Sequence, residues 1–345
     1  MTKTAAIWPK PSEAVWLFAA FFGLLITAPC TTVADVPETG FWGFQIENDS
    51  FGSSNDRYYT NGFEVSFASI ESPPRFLEAV SDALPFYHRG EIGIHGYSFG
   101  QSMFTPEDTD RADLIVDDRP YAGWLYMQTG IANVYEDTGN KQVINGLGLT
   151  VGIVGPWSLA DKTQEKFHRM IGVDVPQGWD NQLENELGLN VGYLRKWRQL
   201  VPLKNNLQFE ISYHGGAVLG NVYTYASAGV MARWGTALEN DIGPPTIAPG
   251  FTGLPVFRPQ PASNWYFFAG IEGRIVGRNI FLDGNTFTDS HSVDKETLVG
   301  DLQFGFAFHF RNARIALINI IRSNEFEGQA DRVQYGAINL TYYTD

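Results

Sequence analysis

The chain has 345 residues, of which 38 are acidic and 24 basic, for a net charge of −14. That acidic excess argues against nucleic acid as a partner, and a single cysteine excludes an internal disulfide framework. No composition shift marks a second domain, and all-β barrels commonly reach this length as one unit.

The first stretch reads as a targeting segment. Lys3 and Lys10 are followed by an apolar run from Val15 to Ile26, with small residues at Thr32 and Ala34. This is the pattern of a secretory signal and is too short for a spanning helix. Cleavage is expected after Ala34, leaving 35–345 as the barrel domain. Pro29 precedes Cys30, where a lipoprotein anchor would need a small residue, so the mature chain is expected to hold no cysteine.

Beyond the signal, apolar residues recur at every second position. Trp42, Phe44 and Ile46 alternate with Gly43, Gln45 and Glu47, and near the end Phe304, Phe306, Phe308 and Phe310 alternate with Gly305 and His309. Period-two patterning predicts strands at 41–49, 58–70, 91–102, 120–135, 143–155, 186–197, 206–217, 221–236, 264–277, 298–311, 312–322 and 332–343. Twelve is an even number, and segments of about ten residues suit strands that cross a membrane, whereas strands of a soluble sandwich average about five or six. The fold class is therefore all-β, a transmembrane up-and-down antiparallel barrel with one short helix in the loop after strand five. Trp and Tyr near strand ends, among them Trp42, Tyr58, Tyr121, Trp124, Trp197, Trp265 and Tyr342, are expected to form interfacial girdles. Segments 71–90 and 237–263 fit least well, because both fall where such barrels have short turns.

Strand parity turns this map into a reading of function. The loops after strands one, three and five open at the same end, and the polar clusters lie there. The first carries Asn48, Asp49 and Thr60; alternation puts Asp49 and Thr60 on the lumen side and Asn48 outward. The second, at 107–119, is rich in Asp and contains Arg111. The third, at 155–186, has a helical pattern in which Gln164 and His168 share one face. Thr163, Phe167, Met170 and Ile171 form an apolar stripe that is expected to pack on the barrel rim. An Asn-Asp pair at a loop mouth is often simple turn chemistry, and a single histidine is often structural. Histidine is nevertheless the side chain best suited to accept a proton near neutral pH, and Asp49 and Asp174 carry the hard oxygens that Ca²⁺ binds. The chain has no HExxH motif, EF-hand loop or G-x-S-x-G elbow, which leaves water activated by histidine as the simpler hydrolytic chemistry.

The stretches at 45–62 (QIENDSFGSSNDRYYTNG), 117–126 (DDRPYAGWLY), 152–156 (GIVGP) and 164–182 together resemble the outer-membrane lipid A 3′-O-deacylase family. The resemblance implies Ca²⁺-dependent hydrolysis of the 3′-linked acyloxyacyl ester of lipid A, at a site between the barrel wall and a loop helix. It assigns His168, Gln164, Asn48 and Thr60 to catalysis, Asp49 and Asp174 to the metal, and Arg111, loosely aligned with a family lysine, to substrate binding. The partners implied are lipopolysaccharide and outer-membrane lipids, with the protein acting as a monomer in the outer membrane. A phospholipase-type acyl hydrolase and a non-catalytic barrel, either a pore or a binding protein, are the alternatives.

Overall fold

The computed structural model describes residues 40–48, 58–71, 73–83, 92–137, 141–244, 250, 253 and 256–344. The signal segment 1–34 and Asp49 lie outside the described residues.

Twelve antiparallel strands close into a barrel among the described residues. They are β1 (Gly40–Asn48), β2 (Tyr58–Ser69), β3 (Ile92–Thr105), β4 (Ala122–Asp137), β5 (Lys141–Val154), β6 (Glu186–Pro202), β7 (Leu207–Gly220), β8 (Tyr223–Thr236), β9 (Gln260–Asn279), β10 (Leu298–Arg311), β11 (Ala313–Arg322) and β12 (Val333–Thr344). Each strand pairs with its chain neighbours, and β1 closes on β12 from Gly40 opposite Thr344 to Asn48 opposite Gly336. Among the described residues, three α-helices punctuate the strands: α1 (Arg75–Ala83), α2 (Ala160–Ile171) and α3 (Ile280–Asp283).

The two faces of the wall are inverted relative to a soluble protein. Outward positions hold exposed apolar side chains such as Met127, Val151, Leu189, Ile271 and Leu317, while Gln45, Glu47, Glu210, Arg233, Asp301 and Arg314 are buried inside. A soluble fold would hide the first set, so this arrangement places lipid outside.

The interior is filled. Glu210 accepts from Arg198 Nε at 2.9 Å and Arg233 Nε at 3.0 Å, and Leu238 O accepts from Arg198 Nη2 at 2.8 Å. The β8–β9 connection at 237–259 explains the awkward segment in the sequence. It turns inward after Ala237, pairs Asp241 with Phe257, and packs Phe257 against Phe41. The other awkward segment, 71–90, contains α1, whose pattern of Leu77 inward and Val80 exposed was too short to read as a helix.

Two sequence expectations need correction here. Trp124 is not part of a girdle; it lies in the lumen against Tyr126 and Phe281. Tyr121 is likewise buried, against Trp179. Trp197 on Tyr213 and Trp234 beside Trp265 do form paired aromatics near the terminal end of the barrel.

Candidate active site

The β5–β6 connection departs from the barrel at Gly155, which has φ 93 and would drive a Cβ into the backbone of Glu184. A short turn at Pro156–Ser158 follows, and Leu159 enters α2 in the left-handed region at φ 59. The helix then lies against the outside of the wall. Gln101 Nε2 of β3 donates to Ser158 O at 2.5 Å, and Met103 packs with Ala160, Tyr121 and Trp179. Gly123 of β4 is what allows the approach, because a Cβ there would overlap Ser158 Oγ and the Ala160 Cβ.

The buried face of α2 is not the apolar one. Ala160, Gln164 and His168 face the wall, with Gln164 1% and His168 5% exposed, whereas Met170 is 52% exposed. Of the stripe expected from Thr163, Phe167, Met170 and Ile171, Thr163 and Phe167 are half-buried and Met170 is exposed, so these three do not make the main contact; the Ile171 side chain lies outside those described. Burying two polar side chains while exposing a methionine costs stability, and it marks this face as functional.

Both buried side chains are held in defined states. Gly172, at φ 74, ends the helix, and the chain folds back so that His168 Nδ1 donates to Asp174 O at 2.6 Å. A carbonyl can only accept, so Nδ1 carries the proton and Nε2 is the basic nitrogen. Gln164 Oε1 accepts from Trp179 Nε1 at 2.7 Å. The turn bearing Trp179 is itself tied to the β3–β4 loop, through Gln177 N to Thr109 O at 2.9 Å, Asn181 Nδ2 to Ala112 O at 2.9 Å, and Leu183 N to Tyr121 O at 2.9 Å.

The register connects this helix to the first hairpin. Asn48 pairs with Asn61, Asn61 with Met103, and Met103 with Gly123, a row across four strands that leads to the point where α2 docks. Gln45 and Glu47 are buried in the lumen, so Asn48 falls on the outer face, the side on which the helix lies. Thr60 sits in β2 where the β2–β3 register skips a residue between Tyr59 and Asn61. The side chain of Thr60 lies outside those described. Arg111 lies in the exposed β3–β4 loop and donates from Nη2 to Asp113 at 2.5 Å. That hydrogen bond and the charge behind it hold the Asp113 carboxyl below the usual carboxylate range.

A family model described as outer membrane protein LpxR matches residues 17–344, nearly the whole chain. The chain belongs to the LpxR outer membrane protein family. Among solved structures, LpxR from Salmonella typhimurium superposes with a TM-score of 0.73 at 18% identity, covering 88% of this chain and 99% of that one. The β domain of the Bordetella autotransporter BrkA gives 0.42 at 9% identity, covering 88% and 99%, and the KdgM porin gives 0.35 at 7%, covering 88% and 98%. No curated protein matches the sequence.

For this LpxR-family chain the Ca²⁺ expected from the sequence can be set against the donors. Among the described residues, no three His, Cys, Asp or Glu side chains come together as a metal site. Asp174 is exposed and meets His168 through its main chain, and Asp49 lies outside the described residues. The described donors do not by themselves supply the six to eight oxygens that Ca²⁺ takes. Trp179 and Gly123 act through contacts between elements far apart in sequence; both lie in stretches that carry the family resemblance, 164–182 and 117–126, which do not show what either residue touches.

Proposed function

We propose that this outer-membrane barrel is a lipid A deacylase, hydrolysing the 3′-linked acyloxyacyl ester with a water activated by His168. The observation that carries the reading is the His168 tautomer, with its proton fixed on Nδ1 by Asp174 O, on a helix docked to the lipid-facing side of the wall. An ester in the surrounding leaflet reaches that side without leaving the membrane.

In this mechanism Nε2 removes a proton from water as the oxygen attacks the ester carbonyl carbon. The C–O bond to the sugar breaks as the tetrahedral intermediate collapses, and the imidazolium returns its proton to the leaving sugar oxygen. His168 is in the last turn of α2, where the helix dipole favours a transient cation. Asn48, Thr60 and Gln164 form the supporting shell, and Arg111 is assigned to a lipid A phosphate, for which a guanidinium is well suited. Ca²⁺ held by Asp49 and Asp174 belongs to the same reading, as do removal of residues 1–34 on export and action as a monomer.

Purified protein incubated with lipid A and Ca²⁺, followed by mass spectrometry, should show loss of the 3′-linked acyl chains. No acyl loss, or full activity in His168→Ala, would overturn the proposal. Activity on phospholipid with none on lipid A would move it to a phospholipase.

A further inference from the structure

Gln164 is buried, yet only half of its amide is satisfied. Its Oε1 accepts from Trp179 Nε1 at 2.7 Å, while Nε2, also buried, has no hydrogen-bond partner. The indole N–H can only donate, so the atom facing it must be the amide oxygen. Trp179 therefore dictates which end of the amide points away from it, and the end left over is a donor. A buried donor without a partner is costly. Such a group in a native protein calls for an explanation, and an acceptor brought by a ligand is one.

The helix says where that acceptor belongs. Gln164 lies one turn before His168 on the same buried face, so its amide and the imidazole are neighbours between α2 and the wall. Trp179 is fixed well enough to impose this polarity. It is 8% exposed, its ring is 5.1 Å from that of Tyr121, and a Cβ on the preceding Gly178 would meet Tyr121 Cε2 at 2.5 Å. Three further hydrogen bonds, described above, pin its turn to the β3–β4 loop.

We infer that Trp179 is a positioning residue for ester hydrolysis: it locks the Gln164 amide so that Nε2 donates to the substrate carbonyl oxygen, where negative charge develops as water attacks. This rests on the deacylase reading. Preorganised donors of this kind are effective because they need no reorientation during the reaction. Without the indole N–H the amide can turn over and present its oxygen instead, which repels the developing charge.

The test uses the full chain in detergent with lipid A as substrate, measuring kcat and KM for wild type, Trp179→Phe, Gln164→Glu and the double variant, with barrel folding checked by heat-modifiable gel mobility. Trp179→Phe keeps a buried ring and loses the donor, so kcat should fall about 10²-fold, the cost of a misplaced group, with KM changed by less than about twofold. Gln164→Glu still accepts from the indole but has no N–H, so it should lose at least as much. The double variant should be no worse than Gln164→Glu, and the shape of the pH profile should be unchanged in both single variants. Wild-type kcat in Trp179→Phe, a loss confined to KM, or losses that multiply in the double variant would overturn the inference and leave the deacylase reading intact. Should Trp179→Phe fail to fold, an active Gln164→Glu overturns it. A wild-type protein that releases no acyl chain from lipid A overturns the deacylase reading itself and the inference with it.

Discussion

The imidazole of His168 is anchored by the main chain of Asp174, not by its carboxylate: Nδ1 donates to Asp174 O at 2.6 Å, and the Asp174 side chain is exposed. The two jobs assigned to this pair can therefore be separated. Asp174→Ala keeps the carbonyl and the imidazole tautomer, so at saturating Ca²⁺ its kcat should stay within about threefold of wild type, while the Ca²⁺ needed for half-maximal activity rises about tenfold or more if the carboxylate is a metal ligand. His168→Ala should lose about 10²- to 10⁴-fold in kcat at any Ca²⁺ concentration. Titrating both variants with Ca²⁺ after chelation checks this; an Asp174→Ala variant that is inactive at every Ca²⁺ concentration would contradict it.

Gly123 sets the distance between α2 and the wall. A side chain there would overlap Ser158 Oγ and the Ala160 Cβ, and Gly155 N also donates to Gly123 O at 3.0 Å. Gly123→Val suits a strand, since a β-branched residue is favoured there, so the barrel should still form. The helix cannot keep its seat, and His168 and Gln164 move with it. Activity should fall about 10²-fold with unchanged gel mobility of the folded barrel. A variant with wild-type turnover would show that the seating of α2 on the wall is not needed.

The barrel was legible because one face of every strand meets lipid, and alternation survives in sequence wherever the two faces differ. Hence β10 was read at 298–311 and observed at Leu298–Arg311, and the other boundaries shifted by a few residues. The helix α2 was legible as a helix but not in its orientation. Amphipathicity argues that Met170 should be buried, yet tertiary contacts bury Gln164 and His168 instead. The inward turn at Asp241 showed in sequence only as a misfit at 237–263, because Asp241 and Phe257 meet across a Pro- and Gly-rich segment with no period. Trp179 was invisible as a partner for Gln164 because a single side-chain hydrogen bond fifteen residues away has no sequence signature.

Asp118 gives the loop end of the barrel a pH dependence. Burial holds its carboxyl above the ordinary range, although its oxygens accept from the N–H groups of Glu107 and Arg119, each at 2.7 Å. An acid whose pKa is raised on folding binds its proton more tightly in the folded state. Its contribution to folding is therefore most favourable below the ordinary carboxylate pKa of about 4 and is lost as pH rises through the raised value. Amides of the 106–121 loop in Asp118→Asn, compared with wild type at each pH by hydrogen exchange, should gain relative protection as pH goes from about 4 to about 6. A difference that is flat across this range would refute the assignment.

Among the described residues, buried polar contacts cross the barrel interior toward both ends. Toward the terminal end, Asp241 accepts from Tyr266 at 2.9 Å and Arg314 Nη1 at 3.1 Å and lies 3.0 Å from His309 Nε2. Toward the loop end, Arg322 pairs with Asp301 at 2.9 Å, Glu325 faces Arg119 at 3.5 Å, and His291 Nε2 meets Asp118 O at 2.8 Å. An ion crossing the lumen is expected to meet both sets of contacts. Removing one partner from a buried pair costs about 3–5 kcal/mol, so thermal opening is rare. Wild-type protein in a planar bilayer should therefore be silent at moderate voltage. Asp241→Ala leaves Arg314 and His309 without their shared carboxylate, so it should melt at a lower temperature and show intermittent conductance as the 237–259 segment loosens. Stable conductance steps from the wild type would overturn the closed interior, and a silent Asp241→Ala with an unchanged melting temperature would show that Asp241 does not hold the plug.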